Sequence, residues 1–441
     1  MKNYKAIRLI FLLIVSLIST VVAQNPIIRD QFSADPTARV FNGKVYLYPS
    51  HDIPTPPGKK LRGNWFCMED YHVFSSENMT DWTDHGVIVT QTKVPWLTRI
   101  NYDMWAPDCV FKNDKYYFYF PVGGRIGVAT ADKPEGPYNV LDKPVEGIRG
   151  IDPCILIDKD GQAYIFTAMG RINVAKLKDN MIETDGQPLT IANLPAKGLI
   201  EGPFAFELNG RYYLTYPHVE NKTERLEYAM SDSPMGPYKQ VGVIMDESPS
   251  GCWTNHQSIV RYKGQWYLFY HDKDYSPNFD KNRSVKVDSL FFNSDGTIRK
   301  VIPTLRGVGI TDALKKIDID RYSQISNEGV SVAFLDTLNT FNGWKNILDK
   351  QNAWIQYNTV DFGNKKLKSV WVEALSQTGG ILQIRIDKTD GILLAEVKIP
   401  KGTGWNTVDT RLSKYQKGIH NLVVVLKDNN PVEVDWIRFV K

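Results

Sequence analysis

Apolar and polar residues alternate along most of this chain in short runs, the period of β-strands rather than helices. The runs come in pairs joined by Gly, Asn or Asp. Val45-Tyr46-Leu47-Tyr48 follows Asn42-Gly43, and Tyr116-Tyr117-Phe118-Tyr119 follows Asn113-Asp114. Ala163-Tyr164-Ile165-Phe166 follows Asp160-Gly161, Tyr212-Tyr213-Leu214 follows Asn209-Gly210, and Trp266-Tyr267-Leu268-Phe269-Tyr270 follows Lys263-Gly264-Gln265. Each copy reads as a hairpin with a tight turn. A second phrase follows several copies: residues 128–132 lead to Gly136-Pro137-Tyr138, residues 228–232 to Gly236-Pro237-Tyr238, and residues 73–76 to Asp81-Trp82. Together the phrases describe a four-stranded unit repeated five times, the signature of a five-bladed β-propeller over residues 24–305.

Beyond residue 305 the texture changes. Residues 306–325 read as a linker or an edge strand. From 326 to 441 short alternating strands, among them residues 330–333, 368–372, 381–386 and 422–426, are spaced by Gly, Asn and Asp turns. This predicts a C-terminal β-sandwich, jelly-roll-like, so the whole chain is expected to be all-β. Its 441 residues are too many for one ordinary core.

Composition narrows the function. A net charge of +4 is mild, and the basic residues are scattered, which excludes a nucleic-acid binder. Tyr (22) and Trp (11) are abundant, and exposed flat rings suit sugar faces. Residues 1–23 carry Lys2, Lys5 and Arg8, then an apolar run over 10–18, then Val21-Val22-Ala23. That is a signal peptide with the mature chain starting at Gln24, so a secreted or periplasmic protein with no membrane span is expected. Cys67, Cys109, Cys154 and Cys252 match no zinc spacing and are expected to be free buried thiols.

In a propeller the first strand of every blade lines the axis with the same end at the same mouth. The residues opening the five copies, Asp35, Ala106, Asp152, Glu201 and His256, should therefore converge, although they lie up to 221 positions apart. Two carboxyl groups across a pocket are the equipment of glycoside hydrolysis, one ionised to activate water and one protonated to release the leaving oxygen. Asp35, among Ser33, Thr37 and Arg39, is the expected base. Glu201, between Ile200 and Gly202-Pro203, is the expected acid, since apolar surroundings raise a carboxyl pKa. Asp152 is a third carboxylate that orients Glu201 and raises its pKa. Trp105 should stand at the mouth as a sugar-stacking ring. The loop over 51–71, rich in Pro and Gly, should cover it and present Trp65 or Phe66, with Asp52 and His51 as further substrate contacts.

These residues resemble glycoside hydrolase family 43. The resemblance rests on Ala34-Asp35-Pro36, Trp105-Ala106-Pro107-Asp108, Gly150-Ile151-Asp152-Pro153, Glu201-Gly202-Pro203 and Asn255-His256-Gln257-Ser258 in order at blade spacing. It implies Asp35 as general base, Glu201 as general acid, Asp152 as pKa modulator, and inversion at the anomeric carbon with carboxyls about 6.5–9.5 Å apart. It also implies that His256 holds a water or a calcium ion at the channel centre, calcium being optional and no cofactor required, and that Arg283 contacts substrate. The expected activity is an exported, monomeric exo-glycosidase that removes terminal α-L-arabinofuranosyl or β-D-xylosyl units from polysaccharides or oligosaccharides. An endo-arabinanase or galactan-directed hydrolase of the same fold, and a non-catalytic sugar-binding propeller, are the alternatives. The sandwich is similar to carbohydrate-binding module family 6 at Trp354-Ile355-Gln356-Tyr357, Gly402-Thr403-Gly404-Trp405 and Val434-Asp435-Trp436-Ile437-Arg438-Phe439. Val408 stands where that family carries a stacking Trp, and Glu433 where it carries an Asn. These departures favour a sandwich that buttresses the propeller.

Overall fold

The computed structural model describes residues 25–441, apart from 60, 62–64, 199, 277 and 339–341. The expected signal peptide and cleavage point, and Leu199 beside the expected acid, lie outside the described residues. Among those described, no helix is long and apolar enough to cross a membrane.

Five antiparallel sheets form the propeller. The first holds β1 (Phe32–Phe41), β2 (Lys44–Asp52), β3 (Asp70–Ser76) and β4 (Thr83–Thr90). The second holds β5 (Asp108–Lys112), β6 (Lys115–Val122), β7 (Arg125–Ala131) and β8 (Asn139–Val140). The third holds β9 (Ile151–Ile157), β10 (Ala163–Ala168), β11 (Ile172–Leu177) and β12 (Thr184–Thr190). The fourth holds β13 (Phe204–Leu208), β14 (Arg211–Val219), β15 (Glu224–Ser231) and β16 (Lys239–Met245). The fifth holds β17 (Ser258–Tyr262), β18 (Gln265–Asp272) and β19 (Ser284–Leu290).

The turns work as the residue types dictate. Asn42 and Gly43 have φ of 50° and 76°, and Asn209 and Gly210 have 54° and 82°. Positive φ at both central residues is the two-residue turn whose twist matches the strands it joins. Register follows, with Phe41 opposite Lys44 and Leu208 opposite Arg211. Alternation then lets one strand face two neighbours. On β2, Val45 and Leu47 pack with Val260, Phe269 and Val285 of the fifth blade. Tyr46 and Tyr48 pack with Tyr116, Phe118 and Phe120 of the second. The remaining seams are apolar in the same way.

The fifth blade departs from the four-stranded pattern. After β18 the chain gives the strand β19 and then a single bridge between Phe292 and Ile298. The outer edge of β19 is taken instead by residues 25–27. Ile27 N donates to Val285 O (2.9 Å), and the Asn25 amide both accepts from Val287 N (2.9 Å) and donates to Val287 O (3.1 Å). The start of the described chain therefore closes the ring against its end.

The sandwich has two sheets. Residues 306–325 belong to it as edge strands rather than as a linker: Thr311–Asp312 and Gln324–Ile325 pair with Trp354–Asp361, and Ile317–Asp318 pairs with Val432–Val440. Val408 packs at the border of the sandwich core, and Glu433 is ion-paired with Lys345 at 2.6 Å. All four cysteines are buried free thiols.

Candidate active site

Two Asp-Pro dipeptides set the site. Asp35 and Asp152 have φ of 48° and 52°, rare for a residue with a side chain. Pro follows each, and the ladder skips at both places, between Ala34 and Thr37 in the first blade and opposite Phe166–Ala168 in the third. A bulge re-aims a side chain at the rim of a sheet. Here it places both carboxyls in the lining of one cavity of about 230 Å³ with Glu201, His256, Arg283, Trp65, Phe66, Trp105 and Trp253.

Glu201 lies in the turn before β13. Gly202, at φ 51°, gives its N–H to Asp152 Oδ2 (3.0 Å) and its carbonyl to Gln257 Nε2 (2.9 Å). A Cβ at Gly202 would lie 2.8 Å from Pro217 Cδ and 2.9 Å from His256 Nδ1, so only glycine fits.

The carboxyls have opposite electrostatics. Burial alone would raise the pKa of Asp35, but Arg283, His271, His256 and the Ser50 hydroxyl outweigh it and hold it at about 2. Ser50 Oγ donates to Asp35 Oδ2 at 2.6 Å, and Arg283 Nη1 donates to Oδ1 at 3.0 Å. Burial, then the charge of Asp35, raises Glu201 against the pull of Glu224 and Arg283. Burial, then Glu201 and Asp35, raises Asp152 well above the ordinary range. Burial lowers His256 to about 4, so its imidazole is neutral near pH 7.

Several site residues take places the sequence did not foretell. Arg39 does not serve Asp35; it forms a fork with Asp108 at 2.9 and 2.6 Å. Arg283 lines the cavity, and its guanidinium N–H groups all reach protein acceptors. Its guanidinium reaches Asp52 Oδ2 and Oδ1 (both 3.0 Å), Asp35 Oδ1 and Oδ2 (3.0 and 3.3 Å) and Thr254 Oγ1 (3.2 Å). Five contacts use the five N–H bonds a guanidinium has. Asp52 is correspondingly not in the cavity lining but behind Arg283, from whose backbone N–H it also accepts (2.8 Å). Phe66 lies under Arg283 at 4.5 Å and against Trp65 at 5.2 Å, so the segment between β2 and β3 presents both rings.

Glu224 is the main residue that sequence reasoning missed. It opens β15, is fully buried, interacts electrostatically with Glu201, and accepts the Asn255 N–H at 2.5 Å. Burial and Glu201 raise it well above its usual range. Two interacting buried carboxyls are not both ionised. The available signal was a charged residue, Glu224, opening a third strand that is otherwise buried. His271 was missed as well; its Nδ1 accepts the Asp35 N–H at 3.1 Å.

Calcium fits the channel poorly as a protein-held ion. Calcium takes six to eight oxygen ligands. His256 offers one nitrogen, and it belongs to no cluster of three His, Cys, Asp or Glu ligands among the described residues.

The model of the family described as Glycosyl hydrolases family 43 matches residues 23–298, and that of Carbohydrate binding module (family 6) matches 326–441. The chain is 36% identical to Xylosidase/arabinosidase 43A of Humicola insolens, over 62% of this chain and 98% of that protein. Its fold is similar to a β-xylosidase/α-arabinofuranosidase of a compost metagenome, solved with xylotriose: TM-score 0.58, 33% identity, 64% of this chain and 98% of that one. An arabinoxylan arabinofuranohydrolase from Bacillus subtilis, solved with cellotetraose, is similar across both domains: TM-score 0.57, 25% identity, 96% of this chain and 99% of that one.

Proposed function

The chain belongs to glycosyl hydrolase family 43, and from that membership we propose that it is an inverting exo-glycosidase releasing terminal α-L-arabinofuranosyl or β-D-xylosyl units. One observation carries the reading. In a single aromatic-walled cavity, Asp35 is held ionised at about 2 while Glu201 is raised. Those are the protonation states a base and an acid need.

The reaction balances on these two groups. Asp35 takes a proton from a water as that water attacks the anomeric carbon. Glu201 gives its proton to the glycosidic oxygen as the bond breaks. Asp152, bonded to the Gly202 N–H, positions the Glu201 turn, while burial and the charge of Asp35 keep the acid protonated. Trp65, Phe66, Trp105 and Trp253 offer faces for the sugar ring. Trp65, Phe66 and Met68, between β2 and β3, wall one side of the cavity, which supports removal of end units over cleavage within chains. Export, supported by the charge and apolar pattern of residues 1–23, would bring the enzyme to plant-type polysaccharide.

The test gives wild type, Asp35→Ala and Glu201→Ala an aryl α-L-arabinofuranoside, an aryl β-D-xyloside and debranched arabinan. One sugar should be released by wild type, with each variant slowed at least about 100-fold. Glu201→Ala should recover on an activated leaving group. Proton NMR of the first product should show the inverted anomer. Retained configuration, or full activity in either variant, rejects the assignment.

A further inference from the structure

Away from the cavity, on the face of the first blade turned toward the fifth, His51, Asp70 and His72 come together. One ring nitrogen of each imidazole and one Asp70 oxygen lie within 4.8 Å of one another. We propose that these three side chains bind a divalent transition metal ion of the zinc class.

The ladder explains the convergence. β2 and β3 pair with Leu47 opposite Phe74. Continued outward, that register brings His51 level with Asp70. His72 lies two positions along β3, on the same face because strand side chains alternate. Phe74 follows His72 on that face, its ring stacked at 6.0 Å.

The chemistry fits a borderline metal better than a mere ion pair. Two neutral imidazoles and a carboxylate are the N/O donor set that zinc, cobalt and nickel prefer over calcium or magnesium. The imidazoles meet edge to face at 5.1 Å. An outer carboxylate is present too. Asp84 accepts from His72 Nδ1 at 3.1 Å and is itself fixed by the Gly86 N–H at 2.7 Å. A carboxylate only accepts, so Nδ1 carries the proton and the Nε2 lone pair is left for a metal. The three side chains are 15–20% exposed, which leaves room for water to complete a tetrahedron. Asp70 Oδ1 and His51 Nδ1 stand 2.7 Å apart, hydrogen-bonded through the Nδ1 proton, so an ion held by these two atoms takes the place of that proton, which moves to the other ring nitrogen.

The experiment uses the full chain stripped with a chelator and titrated with zinc chloride by calorimetry, and with cobalt(II) by visible absorption. One ion per chain and a tetrahedral cobalt spectrum are expected. His72→Gln and Asp70→Asn should each weaken zinc at least about tenfold and alter the cobalt bands. Circular dichroism in chelator checks that the variants are folded, and His256→Gln controls for the channel imidazole. No uptake by wild type overturns the proposal. So does uptake that survives in both folded variants, or that is lost only in His256→Gln.

Discussion

Arg283 shares one positive charge between two buried carboxylates, and that balance fixes what each can do. Asp35 has a folded pKa of about 2 against an ordinary 3.8. Its contacts therefore contribute stability in full above the ordinary value, and that contribution is lost as pH falls through about 2. Arg283→Met should remove this. Asp35 and Asp52 would be left buried without their cation, and urea unfolding should report a loss of about 3–5 kcal/mol. In whatever folds, the acidic limb of kcat/KM should move to higher pH, because burial then acts on Asp35 unopposed by Arg283. An unmoved limb would mean that Arg283 does not set the base. Glu224 acts on the acid. Glu224→Ala removes a group whose pull holds Glu201 down, which favours the protonated acid. The alkaline limb should shift to higher pH, whereas a merely structural Glu224 would change stability and leave the limb in place.

At the scale of the element, the site depends on places where regular strands are interrupted. The bulges at Asp35-Pro36 and Asp152-Pro153 and the turn at Gly202 each hold a positive φ. Gly202→Ala meets both a disfavoured φ and two contacts under 3.0 Å. It should push the Glu201 turn off Asp152 and lower kcat by about 100-fold or more, the scale expected for misplacing a catalytic group by an ångström. A crystal structure of the variant checks the displacement, and an unmoved Glu201 with normal kcat would refute the account. These interruptions were also what made the fold legible. Asn42-Gly43 and Asn209-Gly210 announce hairpins because few other residues accept their φ values, and Asp-Pro at strand starts announces the axis. Partners across the ring were not legible. Asp35 and Arg283 are 248 positions apart, and Arg39, its polar neighbour in sequence, is claimed by Asp108. Local spacing reports turns and faces. It does not say which of several cations reaches a given carboxylate once five sheets have closed.

At the scale of the whole molecule, the closure of the ring and the docking of the sandwich are one structure. Asn25 binds Val287 on the fifth blade, donates to Thr304 O at 2.8 Å, and offers its own carbonyl to Arg321 Nη1 of the second domain at 2.9 Å. Arg321 also meets the Tyr275 hydroxyl of the propeller. Arg306, 1% exposed at the junction, donates to the carbonyls of Asn358 (3.0 Å) and Gly309 (2.8 Å) and lies over the Tyr357 ring at 4.7 Å. Removing the sandwich would therefore take away a partner of the strap that seals the propeller. A chain ending at residue 305 should unfold at lower temperature than the full chain, with early opening at the strap read by hydrogen exchange at Ile27 and Val287. Asn25→Ala in the full chain should reproduce part of that loss, about 1–3 kcal/mol, since it leaves the Val287 N–H and carbonyl without their partner. Neither Asp35 nor Glu201 takes part in these contacts, so kcat on a small aryl glycoside should change little where both forms are folded. If the truncated chain keeps its melting temperature and loses only its hold on insoluble polysaccharide, the sandwich is a separable sugar-binding module. If it melts early with polysaccharide binding unchanged, the sandwich is the clasp that keeps the ring shut.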